Sequence, residues 1–175
     1  SKVKSKFGLV LNPDTRLTKN SIDKFLNTAS NYKNFWLVGP DQNFEKSLSN
    51  DDIREAKNIK GYAMFFNIEK FNNIFFDENF FLYLENVDLC LRQKKKNQKI
   101  YIVKNSEIKH IGSYTSKLDE TGNIEYLRNW HWMWSKFYFN KKHYGFIKAF
   151  FSGYLMFVKS MTKYLFYLII NNKYK

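Results

Sequence analysis

The stretch that decides the fold is FDENFFLYLENVDLCLR, residues 76–92. Drawn as an α-helix, which turns about 100° per residue, it places Glu85, Asp88 and Arg92 within roughly 60° of one another. A different face carries three apolar residues, Leu84, Val87 and Leu91. Two carboxylates above an apolar base suit a site that handles a sugar or a metal ion. The same pattern also fits an ordinary ion pair that faces solvent.

The flanks of this stretch predict where its helix begins and ends. Asp77 is a suitable N-terminal capping residue, so we expect the helix to begin after it. The lysine run 94–96 is expected to end the helix, because positive charge interacts favourably with the carboxyl end of a helix dipole.

Short apolar runs on both sides of the helix predict β-strands, at residues 7–11, 35–38, 61–68, 99–103 and 107–111. Because strands alternate with helices, the predicted fold class is α/β.

The remaining segments complete the predicted organisation. A further helix is expected over residues 17–29, and the polar segment 41–60 is expected to be a surface loop. From Asn123 the pattern is nearly continuous helix. We therefore predict two domains, residues 1–122 and a helical extension over 123–175.

Composition restricts the class of protein. A chain of 175 residues with 44% hydrophobic residues is long enough to bury a core. The net charge of +13 favours anionic partners, such as nucleic acid, anionic lipid or a phosphorylated substrate. Cys90 is the single cysteine, so an internal disulfide is excluded; its apolar neighbours predict a buried, inert thiol.

The C-terminal helix has a basic stripe and many aromatic residues. On a helical wheel the stripe covers roughly 60° and consists of Lys141, Lys148, Ser152, Lys159 and Lys163. The apolar run 164–170 is far shorter than the ~20 residues that span a bilayer. We expect an interfacial helix on an anionic membrane. The alternative is a helix packed on its own domain, with lysine stems at the edge.

Two residues are candidate metal ligands. Asp14 follows the first strand in the turn 12–14, and a carboxylate at the carboxyl edge of a parallel strand points into the ligand crevice of an open α/β sheet. It could hold Mg²⁺ or Mn²⁺ against a diphosphate; as an ordinary turn residue it would bond its own backbone. His110 ends a later strand and could complete the metal shell, although a lone histidine is more often structural.

Glu85 and Asp88 are candidates for a general base that acts on a hydroxyl group. The alternative is that Asp88 and Arg92 form a simple helix ion pair between positions i and i+4.

The order of these signals resembles glycosyltransferase family 2, in particular the rhamnosyltransferase-like enzymes that assemble bacterial cell-surface polysaccharides. The resemblance covers about residues 7 to 145, and its motifs are LNPD (11–14), VGP (38–40), GYAM (61–64), the opening stretch 76–92, IYIV (100–103) and HIGS (110–113).

The resemblance implies a GT-A fold and an inverting transfer of a sugar from a nucleotide-diphosphate donor to a hydroxyl of a glycan or lipid-linked acceptor. It implies that Asp14 and His110 bind a divalent cation, Mg²⁺ or Mn²⁺. It also implies a cytoplasmic protein at the inner face of the cell membrane. By the same resemblance, the donor diphosphate contacts Asn12, Asp14, Gly61 and Arg92, and the catalytic base is Glu85 or Asp88.

Two departures from the family pattern carry expectations of their own. Many members have Glu-Asp where this chain has Glu85-Asn86, and an amide cannot serve as a base. Members also carry further residues before the Asn-Pro-Asp strand. The chain is therefore expected to represent the C-terminal two-thirds of such an enzyme, to expose an unpaired sheet edge and to bind donor poorly by itself.

Two other functions compete with sugar transfer. A non-catalytic membrane-surface protein would keep the fold without the base. A basic nucleic-acid-binding module would use the charge and the aromatic residues, but no RRM, KH or helix-turn-helix signature appears, so nucleic acid is not an expected partner.

Overall fold

A computed structural model describes residues 5–41, 52–70, 76–104, 106, 108–111 and 123–172 of the protein. The chain divides into two compact units. The first, here called the α/β unit, comprises Ser1–Asn79 and Glu85–Ile124. The second, here called the helical unit, comprises Phe80–Leu84 and Glu125–Lys175.

The α/β unit alternates strands and helices, as the sequence predicts. Its elements are β1 (Phe7–Leu11), β2 (Thr15–Leu17), α1 (Ser21–Asn31), β3 (Phe35–Pro40), β4 (Ile53–Glu55), β5 (Ala63–Asn67), a short 3-10 turn (Ile68–Lys70), α2 (Glu85–Lys94), β6 (Lys99–Val103) and β7 (Ile108–His110). The α/β class is confirmed, with a mixed sheet.

Within the described residues, five strands form the main sheet, in the order β1-β5-β3-β6-β4, and β2 pairs with β7 in a separate small sheet. The β3–β6 pair is parallel, whereas β1–β5, β3–β5 and β4–β6 are antiparallel. The expectation that Asp14 follows a strand with parallel neighbours is therefore wrong. β1 is an edge strand whose partner in the described sheet is antiparallel, although it runs in the same direction as β3 and β6.

The core lies on both faces of this sheet. Every residue of β3 and β5 is buried, because these strands are covered on two sides. Phe25 of α1 packs on one face with Phe65, and Leu89 of α2 packs on the other face with Phe66. Cys90 is also buried in the second layer, and desolvation raises the pKa of its thiol to about 11. This agrees with the predicted inert thiol.

The first predicted helix begins later than expected. Residues 17–20 are not helical, because Leu17 is the last residue of β2 and pairs with Ile108 of β7. Asn20 has a φ of 81°, in the left-handed region, and α1 begins at Ser21. Pairing with a distant strand overrides the local helical spacing in this segment.

The central helix also begins later than predicted. Asp77 does not cap it; its carboxylate accepts hydrogen bonds from the backbone N–H and side chain of Asn79. Tyr83 and Leu84 have φ values of 69° and 67°, which interrupt a right-handed helix. α2 therefore begins at Glu85 and ends at Lys94.

The polar segment 41–60 contributes more to the core than predicted. Residues 42–51 lie outside the described residues, but β4 pairs with β6, and Ala56 and Ile59 are buried. Ile59 packs against Gly39, where a Cβ atom would lie 2.8 Å from its side chain. β3 also continues through Gly39 to Pro40 rather than stopping there, because both pair with β6.

Two long helices follow, α3 (Asn123–Tyr144) and α4 (Phe146–Asn172), as the helical pattern predicts, and the helical unit contains them from Glu125 onward. Gly145, with a φ of 89°, separates them. Lys141 therefore belongs to α3, whereas the other residues of the predicted basic stripe belong to α4. The prediction of a single stripe that includes Lys141 is wrong. Among the residues that the structure describes, no helix is both long and apolar enough to cross a bilayer.

The segment 80–84 is held by α3. The ring of Phe80 packs edge-on against Tyr138 at 4.8 Å, and the hydroxyl of Ser135 donates to the carbonyl of Leu82 at 2.7 Å. Nε of Arg128 donates to the hydroxyl of Tyr83 at 2.9 Å, which raises the pKa of the guanidinium. These contacts hold the left-handed turn that precedes α2.

Candidate functional site

The start of β5 joins segments that are far apart in the chain. The carbonyl of Tyr62 accepts a hydrogen bond from the backbone N–H of Asn12 at 2.9 Å and another from the hydroxyl of Thr15 at 3.3 Å. The backbone N–H of Thr15 closes the predicted turn by donating to the carbonyl of Asn12 at 3.1 Å. The Asn-Pro-Asp turn is thereby fixed against Tyr62, with the Asn12 side chain exposed.

Asp14 and His110 meet across the small sheet. Thr15 of β2 lies opposite His110 of β7, and the backbone N–H of Ile111 donates to the carbonyl of Asp14 at 2.9 Å. Nε2 of His110 lies 3.1 Å from Oδ2 of Asp14, and both side chains are more than one-third exposed. The imidazole stacks on the buried ring of Tyr62, with ring centres 4.8 Å apart and planes 15° apart. Tyr62 therefore sets the orientation of the histidine.

The donor atoms of this pair fit a divalent cation that takes its other ligands from a substrate. In an octahedral shell at about 2.1 Å, neighbouring ligand atoms are ~3.0 Å apart, close to the separation of these two atoms. Within the described part of the chain, no group of three or more His, Cys, Asp or Glu side chains could hold a metal. Two protein ligands suit Mg²⁺ or Mn²⁺ bound together with phosphate oxygens and water, rather than a cage made by protein alone.

Glu85 lies beside Gly61, the residue that precedes Tyr62. A Cβ atom at Gly61 would lie 3.4 Å from Oε1 of Glu85, so the carboxylate lies directly beside this glycine. Oε2 of Glu85 is buried and has no hydrogen-bond partner in the described residues. Since buried carboxylate oxygens are normally bonded, this atom has capacity for a hydroxyl donor.

Asn86 has a structural partner that requires an amide. Its Nδ2 donates to the carbonyl of Ile59 at 2.5 Å, which ties the start of α2 to the segment before β5. An aspartate at this position would place a second acceptor against the carbonyl. The departure from the Glu-Asp pattern therefore has a physical reason in this fold.

Asp88 and Arg92 form the i,i+4 ion pair that the sequence allows. Oδ2 of Asp88 lies 2.8 Å from Nε of Arg92, with the aspartate side chain 0% and the arginine side chain 20% exposed. The pair is thus largely buried rather than solvent-facing. Arg92 lies two helical turns, about 10 Å, along α2 from Glu85.

The structure gathers most of the predicted site residues around Tyr62 and Gly61. Asn12 bonds the carbonyl of Tyr62, His110 stacks on its ring and lies 3.1 Å from Asp14, and Glu85 lies against Gly61. Asp88 and Arg92 bond each other further along α2. Gly112 and Ser113 of the HIGS motif lie outside the described residues.

Sequence reasoning missed Tyr62 and Thr15 as organising residues. Tyr62 lies just before β5, where its ring stacks on His110 and its carbonyl accepts a hydrogen bond from Thr15. Thr15 is the first residue of β2. An aromatic residue directly after a glycine at a strand start was the available signal.

Comparisons with known proteins found no match: no family model, no curated protein and no solved structure corresponds to this chain.

Proposed function

We propose that this chain carries the metal and acceptor side of an inverting glycosyltransferase of family 2 with a GT-A fold. The observation that supports this most is the arrangement around Tyr62. An Asp14–His110 pair suited to a divalent cation lies next to the Tyr62 ring. Oε1 of Glu85 lies against Gly61, the residue before Tyr62, and Oε2 of Glu85 is buried without a hydrogen-bond partner among the described residues.

Asp14 and His110 would hold Mg²⁺ or Mn²⁺ in this proposal. The cation would offset the negative charge on the departing nucleoside diphosphate. Asn12 and Gly61 border the same turn, and we assign them to contacts with the donor. Tyr62 keeps the imidazole in place by stacking, as a positioning residue.

Glu85 is the residue that we assign as the base. It would take the proton of the acceptor hydroxyl while that oxygen attacks the anomeric carbon and the diphosphate leaves from the opposite face. Asp88 is a weaker choice, because its carboxylate is already bonded to Arg92. We therefore assign Asp88 and Arg92 to positioning α2, with Glu85 at its first turn.

A transfer assay tests this proposal. The polypeptide that the gene encodes is incubated with Mn²⁺, a panel of nucleotide-diphosphate sugars, and glycan or lipid-linked acceptors. Turnover is expected for one donor, and Glu85→Gln is expected to reduce it by at least about 100-fold, the lower range for a general base.

Glu78→Gln is the matched control, because it makes the same chemical change at an exposed position. Equal turnover in Glu85→Gln and the unsubstituted protein would remove Glu85 from the mechanism. No transfer with any donor, together with intact folding, would favour the non-catalytic alternative.

A further inference from the structure

α4 presents a continuous apolar face to solvent, here called the α4 face. On a helical wheel it covers an arc of roughly 140°. Its twelve residues are each between 37% and 74% exposed, and they are Phe146, Ile147, Phe150, Phe151, Tyr154, Phe157, Val158, Met161, Tyr164, Leu165, Leu168 and Ile169.

Apart from Phe146, whose ring lies edge-on to Phe137 of α3, the α4 face is not the side of the helix that packs on α3. That side carries small residues and one methionine: Ala149 is fully buried, and Ser152, Gly153 and Met156 line one small cavity with Met133 and Phe137 of α3. The centres of the two sides are separated by about 140° on the wheel. Because contiguous exposed apolar surface of this extent marks an interaction site, the α4 face needs a partner.

The charge of the helical unit identifies the chemistry of that partner. Residues 126–175 contain nine Lys or Arg side chains and no Asp or Glu. Lys148 and Lys159 are exposed and lie beyond one border of the α4 face on the wheel. Lys148 also lies over the ring of Tyr144, with Nζ 3.8 Å from the ring centre. A second copy of the chain would bring the same positive charge to the contact, whereas an anionic surface would neutralise it.

We propose that the α4 face binds the surface of an anionic lipid bilayer. α4, about 40 Å long, lies in the plane of the interface with its aromatic and aliphatic side chains among the acyl chains. Lys148 and Lys159 reach the phosphate groups from the border of the face. This proposal does not depend on sugar transfer, because it concerns only the helical unit.

Two exposed phenylalanines of the helical unit provide a matched test. Phe157 lies in the α4 face and is 58% exposed; Phe81 lies outside α4, in the segment 80–84, and is 78% exposed. Phe157→Glu and Phe81→Glu make the same chemical change and the same change in net charge. The full chain is mixed with vesicles of equal parts phosphatidylcholine and phosphatidylglycerol, and bound protein is measured by flotation.

Phe157→Glu is expected to weaken binding by at least about tenfold, since a buried phenyl group is lost and a charge is added. Phe81→Glu is expected to have a much smaller effect, because it leaves α4 unchanged. Equal weakening by both variants would overturn the proposed face. So would a chain that does not bind these vesicles but self-associates through the α4 face in analytical ultracentrifugation.

The lysines provide a second test that leaves the α4 face intact. Replacement of Lys148 and Lys159 by glutamine is expected to lower affinity roughly 30-fold for anionic vesicles and to change binding to pure phosphatidylcholine little. Circular dichroism checks that the variants keep their helices. Equal affinity of the unsubstituted chain for neutral and anionic vesicles would contradict the electrostatic part of the proposal.

Discussion

His110 and Asp14 face each other across a two-stranded sheet, with Nε2 of the imidazole 3.1 Å from Oδ2 of the carboxylate. The pairing of β2 with β7 fixes this relationship, since Thr15 lies directly opposite His110. Tyr62 closes the arrangement by stacking on the imidazole. The two candidate ligands therefore belong to one site, and a change in either should have the same consequence.

Asp14→Ala and His110→Ala are each expected to weaken Mn²⁺ binding by at least about tenfold, because each removes one of two protein ligands. Isothermal titration with Mn²⁺ in the presence of a nucleoside diphosphate measures the affinity. Lys109→Ala is the control, since Lys109 is an exposed neighbour of His110 in β7. Unchanged affinity in both ligand variants would show that the pair is only a structural hydrogen bond.

Asp88→Asn is expected to lower the free energy of unfolding by about 2 to 4 kcal/mol, because it leaves the partly buried guanidinium of Arg92 without its counter-charge. Glu85→Gln should change stability by less than about 1 kcal/mol, since Oε2 of Glu85 has no described partner to lose. Urea unfolding followed by circular dichroism compares the two variants. A similar loss of stability in both would contradict the distinction between a positioning and a reactive carboxylate.

Asn86→Asp is expected to destabilise the protein by about 1 to 3 kcal/mol, because a carboxylate cannot donate to the carbonyl of Ile59 and would repel it. Asn86→Ala loses the hydrogen bond without adding repulsion and should cost less. Thermal unfolding of the two variants gives this order. If Asn86→Asp proved as stable as the unsubstituted protein, the amide would have no structural requirement at this position.

The buried thiol of Cys90 is expected to make the protein less stable at high pH. Its pKa is raised from 9.0 to about 11 by burial, so the folded protein keeps the thiol proton that the unfolded chain releases. Below pH 9 the thiol is protonated in both states, so the free energy of unfolding is not reduced. As the pH rises from 9 to 11, the free energy of unfolding falls by up to about 2.7 kcal/mol.

The measurement is the difference in unfolding free energy between the unsubstituted protein and Cys90→Ala from pH 8 to pH 11, which cancels the titration of tyrosines and lysines. A difference that does not vary with pH would contradict the effect of burial. The folded protein should also resist alkylation by iodoacetamide at neutral pH.

Local sequence was sufficient to find most elements. The strands 7–11 and 99–103 have the predicted bounds, because each is an apolar run that ends at polar or turn residues. The prediction failed where distant contacts compete with local preference. β4 has only three residues, one of them apolar, and it is a strand because it pairs with β6.

The candidate site was predictable by residue type but not by geometry. Asp14, His110 and Glu85 carry side chains that ligate metals or accept protons, and the sequence shows this directly. Their arrangement depends on Tyr62, which acts through its ring and backbone carbonyl, so residue type alone did not identify it. The separate roles of Glu85 and Asp88 also depend on burial, because both residues have the same carboxyl group.

The sequence by itself determined the α/β class, the helical C-terminal segment, the single buried cysteine and the residue types of the candidate site. Only the tertiary structure decided that α2 begins at Glu85. The physical reason is that Arg128 and Ser135 of α3 bond Tyr83 and Leu82, which holds Tyr83 and Leu84 in a left-handed conformation that local helical preference would disfavour. The tertiary structure likewise buries Asp88 against Arg92 and buries Oε2 of Glu85, whose Oε1 lies against Gly61.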